Sequence, residues 1–243
     1  MRGFLAYFVL WRKHKLLLFS NIIKVHKINR NIIENVEELI ERHFENWSIP
    51  THINRVGLSI ALSLLKGNAA NILETGTSAY GVDSSRLFDS YIRNFGGNFL
   101  SVDLDHGASK NLYMQTSSNS KFFVDDSVNF FLNTVPKLGI LNFDLVYLDS
   151  WDVDWSNPEP SAVHGLREFK AIENYLATGT ILLIDDTPNS LQLIPKEFQS
   201  EAVLFYEKYG VIPGKGAFVY LNLKLRKDVS VIYHKYNIIF KFN

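Results

Sequence analysis

No cysteine occurs anywhere in the 243 residues. Disulfides, thiolate metal sites and cysteine nucleophiles are excluded together. Net charge is missing as well, since 25 Lys+Arg meet 25 Asp+Glu. A dedicated nucleic-acid binder leaves a basic excess, so no nucleic-acid partner is expected. The dinucleotide pattern G-x-G-x-x-G is absent. The apolar run at residues 4–11 is too short to span a bilayer. Its positive cluster, Arg12-Lys13-His14-Lys15, follows the run, whereas a signal peptide carries its charge first. The expectation is a cytoplasmic protein. Residues 1–15 are either a docking helix or frayed terminus, or an interfacial anchor giving peripheral membrane contact.

What is present is a globular composition. Hydrophobic residues make up 47% of the chain, and with no net charge this excludes disorder as the main state. The length suits one large domain with a full core. The zero charge is a sum of unlike parts. Residues 1–33 hold seven basic residues and no acid, and residues 222–243 hold five basic and one acidic residue. The stretch between them holds 13 basic and 24 acidic residues, a balance of −11.

Apolar residues recur at helical spacing over 31–46 and again over 54–66. From residue 70 strands alternate with helices. Strands are predicted at 71–74, 98–102, 121–124, 143–148 and 180–184, with helices at 84–95, 126–134 and 162–176 between them. That alternation implies right-handed crossovers and a parallel sheet. The five strands end at Glu74, Asp103, Asp125 or Asp126, Asp149, and Asp185 with Asp186. Ligands of such sheets bind outside the carboxyl ends of the strands. The acid excess therefore gathers on the ligand edge, although any one acid there could cap a helix instead. Further on, 202–206 and 217–223 read as an antiparallel pair joined by residues 209–216, a connection too short for a crossover. Residues 229–233 and 236–242 read as a terminal hairpin.

The turn Thr75-Gly76-Thr77-Ser78-Ala79-Tyr80-Gly81 joins a strand to a helix and suits close approach of backbone to a ligand. With Glu74-Thr75-Gly76, Asp103 ending the second strand and Asp126-Ser127 ending the third, the chain resembles the class I S-adenosylmethionine-dependent methyltransferases. The resemblance spans about residues 55–223. It implies an α/β fold, a Rossmann-like doubly wound and mostly parallel seven-stranded sheet with an antiparallel last strand and an N-terminal helical extension. The organisation expected is an extension at 1–54, a methyltransferase-like domain at 55–223 and a C-terminal strand extension at 224–243 packed on it. The cofactor implied is S-adenosylmethionine. Glu74 and Gly76, with Ser78 and Gly81 of the same loop, would face its methionine part. Asp103 would accept from the ribose hydroxyls, and Asp126 or Ser127 would lie beside the adenine. Gly81 falls one residue later than the family's usual glycine.

Asp149, Asp185 and Asp186 end neighbouring strands, so three carboxylates converge and would repel one another. A hard divalent cation resolves this, and Mg²⁺ favours carboxylate oxygens. The pattern resembles the metal-dependent O-methyltransferases of the catechol and macrocin type, in which these positions hold magnesium. Alternatively Asp185 or Asp186 caps the following turn and Asp149 orders its loop. A bound metal would acidify a substrate hydroxyl, and a general base would complete proton removal. The family's base position is Asp152 here, where a Lys or His is usual, and His164 is the other candidate. The function expected is magnesium-assisted O-methyl transfer to a hydroxylated small molecule, of the sugar or secondary-metabolite type. A metal-independent methyltransferase and a non-catalytic cofactor-binding or scaffold protein are the alternatives. The apolar N-terminal helix leaves oligomerisation open.

Overall fold

The computed structural model describes residues 35–78, 81–107, 112 and 115–243. The segment expected to touch a membrane, residues 1–15, lies outside the described residues. Among the described residues no helix is long and apolar enough to cross a membrane.

The first helix, α1 (Val36–Asn46), opens on Asn35, whose side chain accepts from the Glu38 N–H at 2.8 Å. That cap satisfies one of the orphan donors of the first turn, and Glu37 and Glu38 suit its positive dipole end. Helix α2 (Arg55–Leu64) follows. Strands and helices then alternate: β1 (Ala70–Thr75), α3 (Ser84–Phe95), β2 (Gly97–Asp103), β3 (Ser120–Val124), α4 (Ser127–Asn133), β4 (Phe143–Leu148), α5 (Glu159–Ile172) and β5 (Leu176–Ile184). The chain closes with α6 (Gln199–Tyr209), α7 (Ala217–Leu223), β6 (Val229–His234) and β7 (Ile238–Phe242).

The strands form a seven-stranded sheet in the order β3-β2-β1-β4-β5-β7-β6. The first five are parallel, and β7 runs antiparallel to both β5 and β6. Period-two alternation divides the core between two faces. Ile72, Leu145, Tyr147, Ile181 and Leu183 point to the side covered by α1, α2 and α3. Leu73, Val146, Leu148, Leu182 and Ile184 point to the side covered by α4, α5 and α7. Because both faces are covered, these strands read as continuous apolar runs.

The antiparallel pair expected at 202–206 and 217–223 is not formed. Both segments are helical, as α6 and α7. Aromatic and β-branched residues there mimic a strand pattern, but tertiary packing decides otherwise. Phe205 meets Tyr209 one turn on at 4.7 Å and Phe218 of α7 at 5.7 Å. Ala162, Phe205, Val211 and Ala217 bury one another in a small separate cluster. The antiparallel strand of the sheet is β7 instead, from the predicted terminal hairpin. Helix α5 also starts earlier than 162, because Pro158 and Pro160 suit a helix entry where no N–H is needed.

Candidate active site

Register sets the site. Thr75 of β1 pairs with Leu148 of β4, and Leu148 pairs with Ile184 of β5. The next residues, Gly76, Asp149 and Asp185, therefore stand level at the carboxyl edge. Strand order reverses between β1 and β4, which is where a parallel sheet opens a crevice. Gly76 has φ +78°, and a Cβ there would run into the carbonyl of Asp149. Only glycine lets the two loops pass this closely.

The loop after β1 is tied to its neighbours by backbone. Thr77 N–H donates to Asp103 Oδ2 at 2.7 Å, and Asp105 N–H donates to Asp103 Oδ1 at 2.8 Å. Ser78 has φ +63°, and its hydroxyl donates to Asp83 Oδ1 at 2.7 Å. Gly81, at φ +76°, packs under Ile49 and His52, and its carbonyl accepts from Ile49 N–H at 2.9 Å. The segment before α2 thus bridges this turn to the acid cluster, because Asn54 two residues on donates to Asp185.

Glu74 does not face the crevice. It is fully buried, and its carboxylate accepts from Ser84 at 2.5 Å, from Ser101 at 2.7 Å and from Ser85. Burial pushes its pKa up to about 7, and the three hydroxyl donors offset that only in part.

Asp149, Asp185 and Asp186 do come together, around a residue the sequence reading missed. The Lys215 ammonium pairs with Asp149 Oδ1 and, at 3.1 Å, with Asp186 Oδ2. It also donates to the Asp149 carbonyl at 3.4 Å. Burial alone would lower the Lys215 pKa, but Asp149, Asp186 and Asp185 outweigh it and keep the ammonium charged. Asp185 Oδ2 accepts from Asn54 Nδ2 at 2.5 Å and from the Tyr147 hydroxyl at 2.7 Å, while its Oδ1 accepts from Asp186 N–H at 2.8 Å. Tyr147 also reaches Asp149 Oδ2 at 3.1 Å, and Tyr236 donates to Asp186. Burial, then its acidic neighbours, hold Asp185 up at about 6. Burial likewise raises Asp149 well above the carboxylate range, against the pull of Lys215. Exposure separates their uses: Asp185 is buried, while the side chains of Asp149 and Asp186 are 10% and 22% exposed.

The magnesium expected here does not fit this arrangement. An ammonium pairs with two of the three candidate ligands, and the third is buried, with three protein donors on its two oxygens. Among the described residues no group of three or more His, Cys, Asp or Glu side chains is arranged to hold a metal ion.

The remaining predicted residues lie apart from the cluster. Asp152 is exposed on the loop after β4. His164 on α5 is held by hydroxyls, Nε2 lying 3.0 Å from Ser150 Oγ and 3.2 Å from Ser127 Oγ, with Trp151 against its ring. Asp126 caps α4, accepting from Asn129 N–H at 2.9 Å, which is the helix-cap reading of a strand-end acid. Besides Lys215, sequence reasoning passed over Asn54, Tyr147 and Tyr236. The one available signal was a lysine set between two glycines, Gly214 and Gly216, in a chain segment otherwise apolar or aromatic.

No family model matches the sequence, and no curated protein does. Among solved structures the chain is similar to the MycE methyltransferase from the mycinamycin biosynthetic pathway in complex with Mg, SAH and mycinamycin VI. Identity is 15% and the TM-score 0.56, over 86% of this chain and 54% of that one. A second MycE structure, with Mg and SAH, gives 14% identity and a TM-score of 0.53 over the same shares. The chain spans about half the length of those structures. The chain shares the fold of those methyltransferase structures.

Proposed function

We propose that the chain transfers the methyl group of S-adenosylmethionine to a hydroxyl of a small molecule, of the sugar or secondary-metabolite type. The observation that carries this reading is the level edge at the strand-order reversal, with Gly76, Asp103 and Asp149 presented side by side in a methyltransferase fold. Each Asp103 oxygen accepts one backbone N–H and keeps a further lone pair. That leaves acceptors for two ribose hydroxyls. Gly76 brings the loop after β1 level with Asp149, and the methionine part would lie along that loop. Asp126 and Ser127 bound the adenine end.

At the acceptor end, Asp149 is the proposed base. Of the three clustered acids it is the one that is both partly exposed and level with Gly76. Burial raises its pKa against the pull of Lys215, which makes it a stronger base than an exposed carboxylate. The acceptor oxygen attacks the sulfonium methyl. The methyl–sulfur bond breaks, the hydroxyl proton passes to Asp149, and S-adenosylhomocysteine leaves. Tyr147 and Lys215 fix the carboxylate in place, and positioning is a large part of what such a displacement needs. Because Lys215 already pairs with Asp149 and Asp186, the metal-independent form of the reaction is the one favoured.

Calorimetry with S-adenosylhomocysteine is the first test, and no binding would end the proposal. Asp149→Asn is expected to lower kcat by about 10²–10⁴-fold, the usual worth of a positioned base. S-adenosylhomocysteine affinity should stay within about threefold. An Asp149→Asn enzyme with full kcat would remove the base assignment.

A further inference from the structure

Lys215 is not a surface lysine that has turned inward. Its side chain is 4% exposed, and its backbone is clamped on several sides. Lys215 N–H donates to the Asp186 carbonyl at 3.1 Å, and Gly216 N–H donates to Thr187 Oγ1 at 2.9 Å. Gly214 lies so close to the Asp186 carbonyl that a Cβ would collide with it. On the other side, Gly165 of α5 leaves the space that the Lys215 carbonyl fills. Two helices, α5 and α7, and the loop after β5 all converge to place one ammonium among three carboxylates.

An ammonium has three protons to donate and no lone pair to accept with. Here Asp149 Oδ1 and the Asp149 carbonyl accept from it, and Asp186 Oδ2 faces it as an ion pair at 3.1 Å. The ammonium is enclosed by the acid cluster. Three converging carboxylates demand a cation, and the one supplied is covalently part of the chain.

We propose that Lys215 is a built-in substitute for the divalent cation, so that this edge takes up no Mg²⁺ while the lysine is present. Lys215 is a positioning residue. It orients Asp149 and Asp186 without touching the acceptor. The proposal rests on reading this edge as the acceptor end of a methyl-transfer site, but its test reads metal and not methyl transfer, so the two can fail separately.

Manganese(II), followed by electron paramagnetic resonance, is the probe. Titrated into the full chain near neutral pH, the wild type is expected to leave the free-ion signal unchanged. Lys215→Ala is expected to withdraw the signal with an affinity at least about tenfold above wild type. Adding Asp186→Asn to it should cancel the gain. Lys215→Met, which keeps the buried stem, serves if the alanine variant does not fold. Stoichiometric manganese binding by the wild type, abolished by Asp186→Asn, would overturn the proposal. So would folded Lys215 variants that gain no site. If neither variant folds, the wild-type titration alone decides.

Discussion

The family resemblance set Glu74 toward the cofactor, yet strand parity already placed it elsewhere. It shares the sheet face of Ile72, beneath α3, and there Ser84, Ser85 and Ser101 enclose it. The consequence is a pH-dependent stability with a definite sign. Burial raises the folded-state pKa from 4.5 to about 7. Between those values the folded chain keeps a proton that the unfolded chain has released. Stability from this group is therefore greatest below the unfolded value and falls as pH rises toward the folded one, by about 3 kcal/mol over the whole window. A neutral Gln of the same shape lacks that loss. Thermal unfolding should find Glu74→Gln close to wild type at about pH 5 and more stable by roughly 5 °C at about pH 8. Parallel melting profiles for the two proteins would show that Glu74 is ionised in the folded state throughout.

At the level of elements, the five parallel strands and the acids at their ends were legible, because a strand buried on both faces is a bounded apolar run and the acid that follows marks its edge. Asp149, Asp185 and Asp186 were found for that reason. Their partner was not, because Lys215 lies far along the chain in a segment whose flanking helices carry residues of high β-propensity. With α6 and α7 read as strands, residues 209–216 became a hairpin turn, and a turn lysine is ordinarily solvated. What overrode propensity was aromatic packing among Phe205, Tyr209 and Phe218. The α5 contact with this segment can be tested through Gly165. Alanine in a helix interior gains about 1 kcal/mol over glycine. Overpacking against a fixed neighbour costs about 1–3 kcal/mol. The neighbour here is the Lys215 carbonyl, whose residue is tied to Asp186 and cannot retreat freely. The clash should win, and chemical denaturation should show Gly165→Ala destabilised by up to about 2 kcal/mol. A neutral or stabilised variant would mean that the clamp on Lys215 is loose.

For the molecule as a whole, the −11 balance of the central stretch now has a place, since Asp103, Asp149, Asp185 and Asp186 all sit on one edge of one sheet. The sheet itself depends on the last residues of the chain. Strand β7 stands between β5 and β6 and pairs with both. Its Ile238, Ile239 and Phe240 are fully buried and Phe242 nearly so, and the first three serve both faces of the core. Burying four such side chains contributes roughly 6–12 kcal/mol. That is comparable to the entire stability of an ordinary domain, about 5–15 kcal/mol. Removal of β7 would also leave β5 with a bare edge beside the site. A chain ended after Leu223 should therefore lose cooperative unfolding in urea and the S-adenosylhomocysteine binding proposed for the whole chain. The same chain with only Asn243 removed should keep both. A cooperative transition in the version ended after Leu223 would show that the five parallel strands and their helices suffice without the terminal pair.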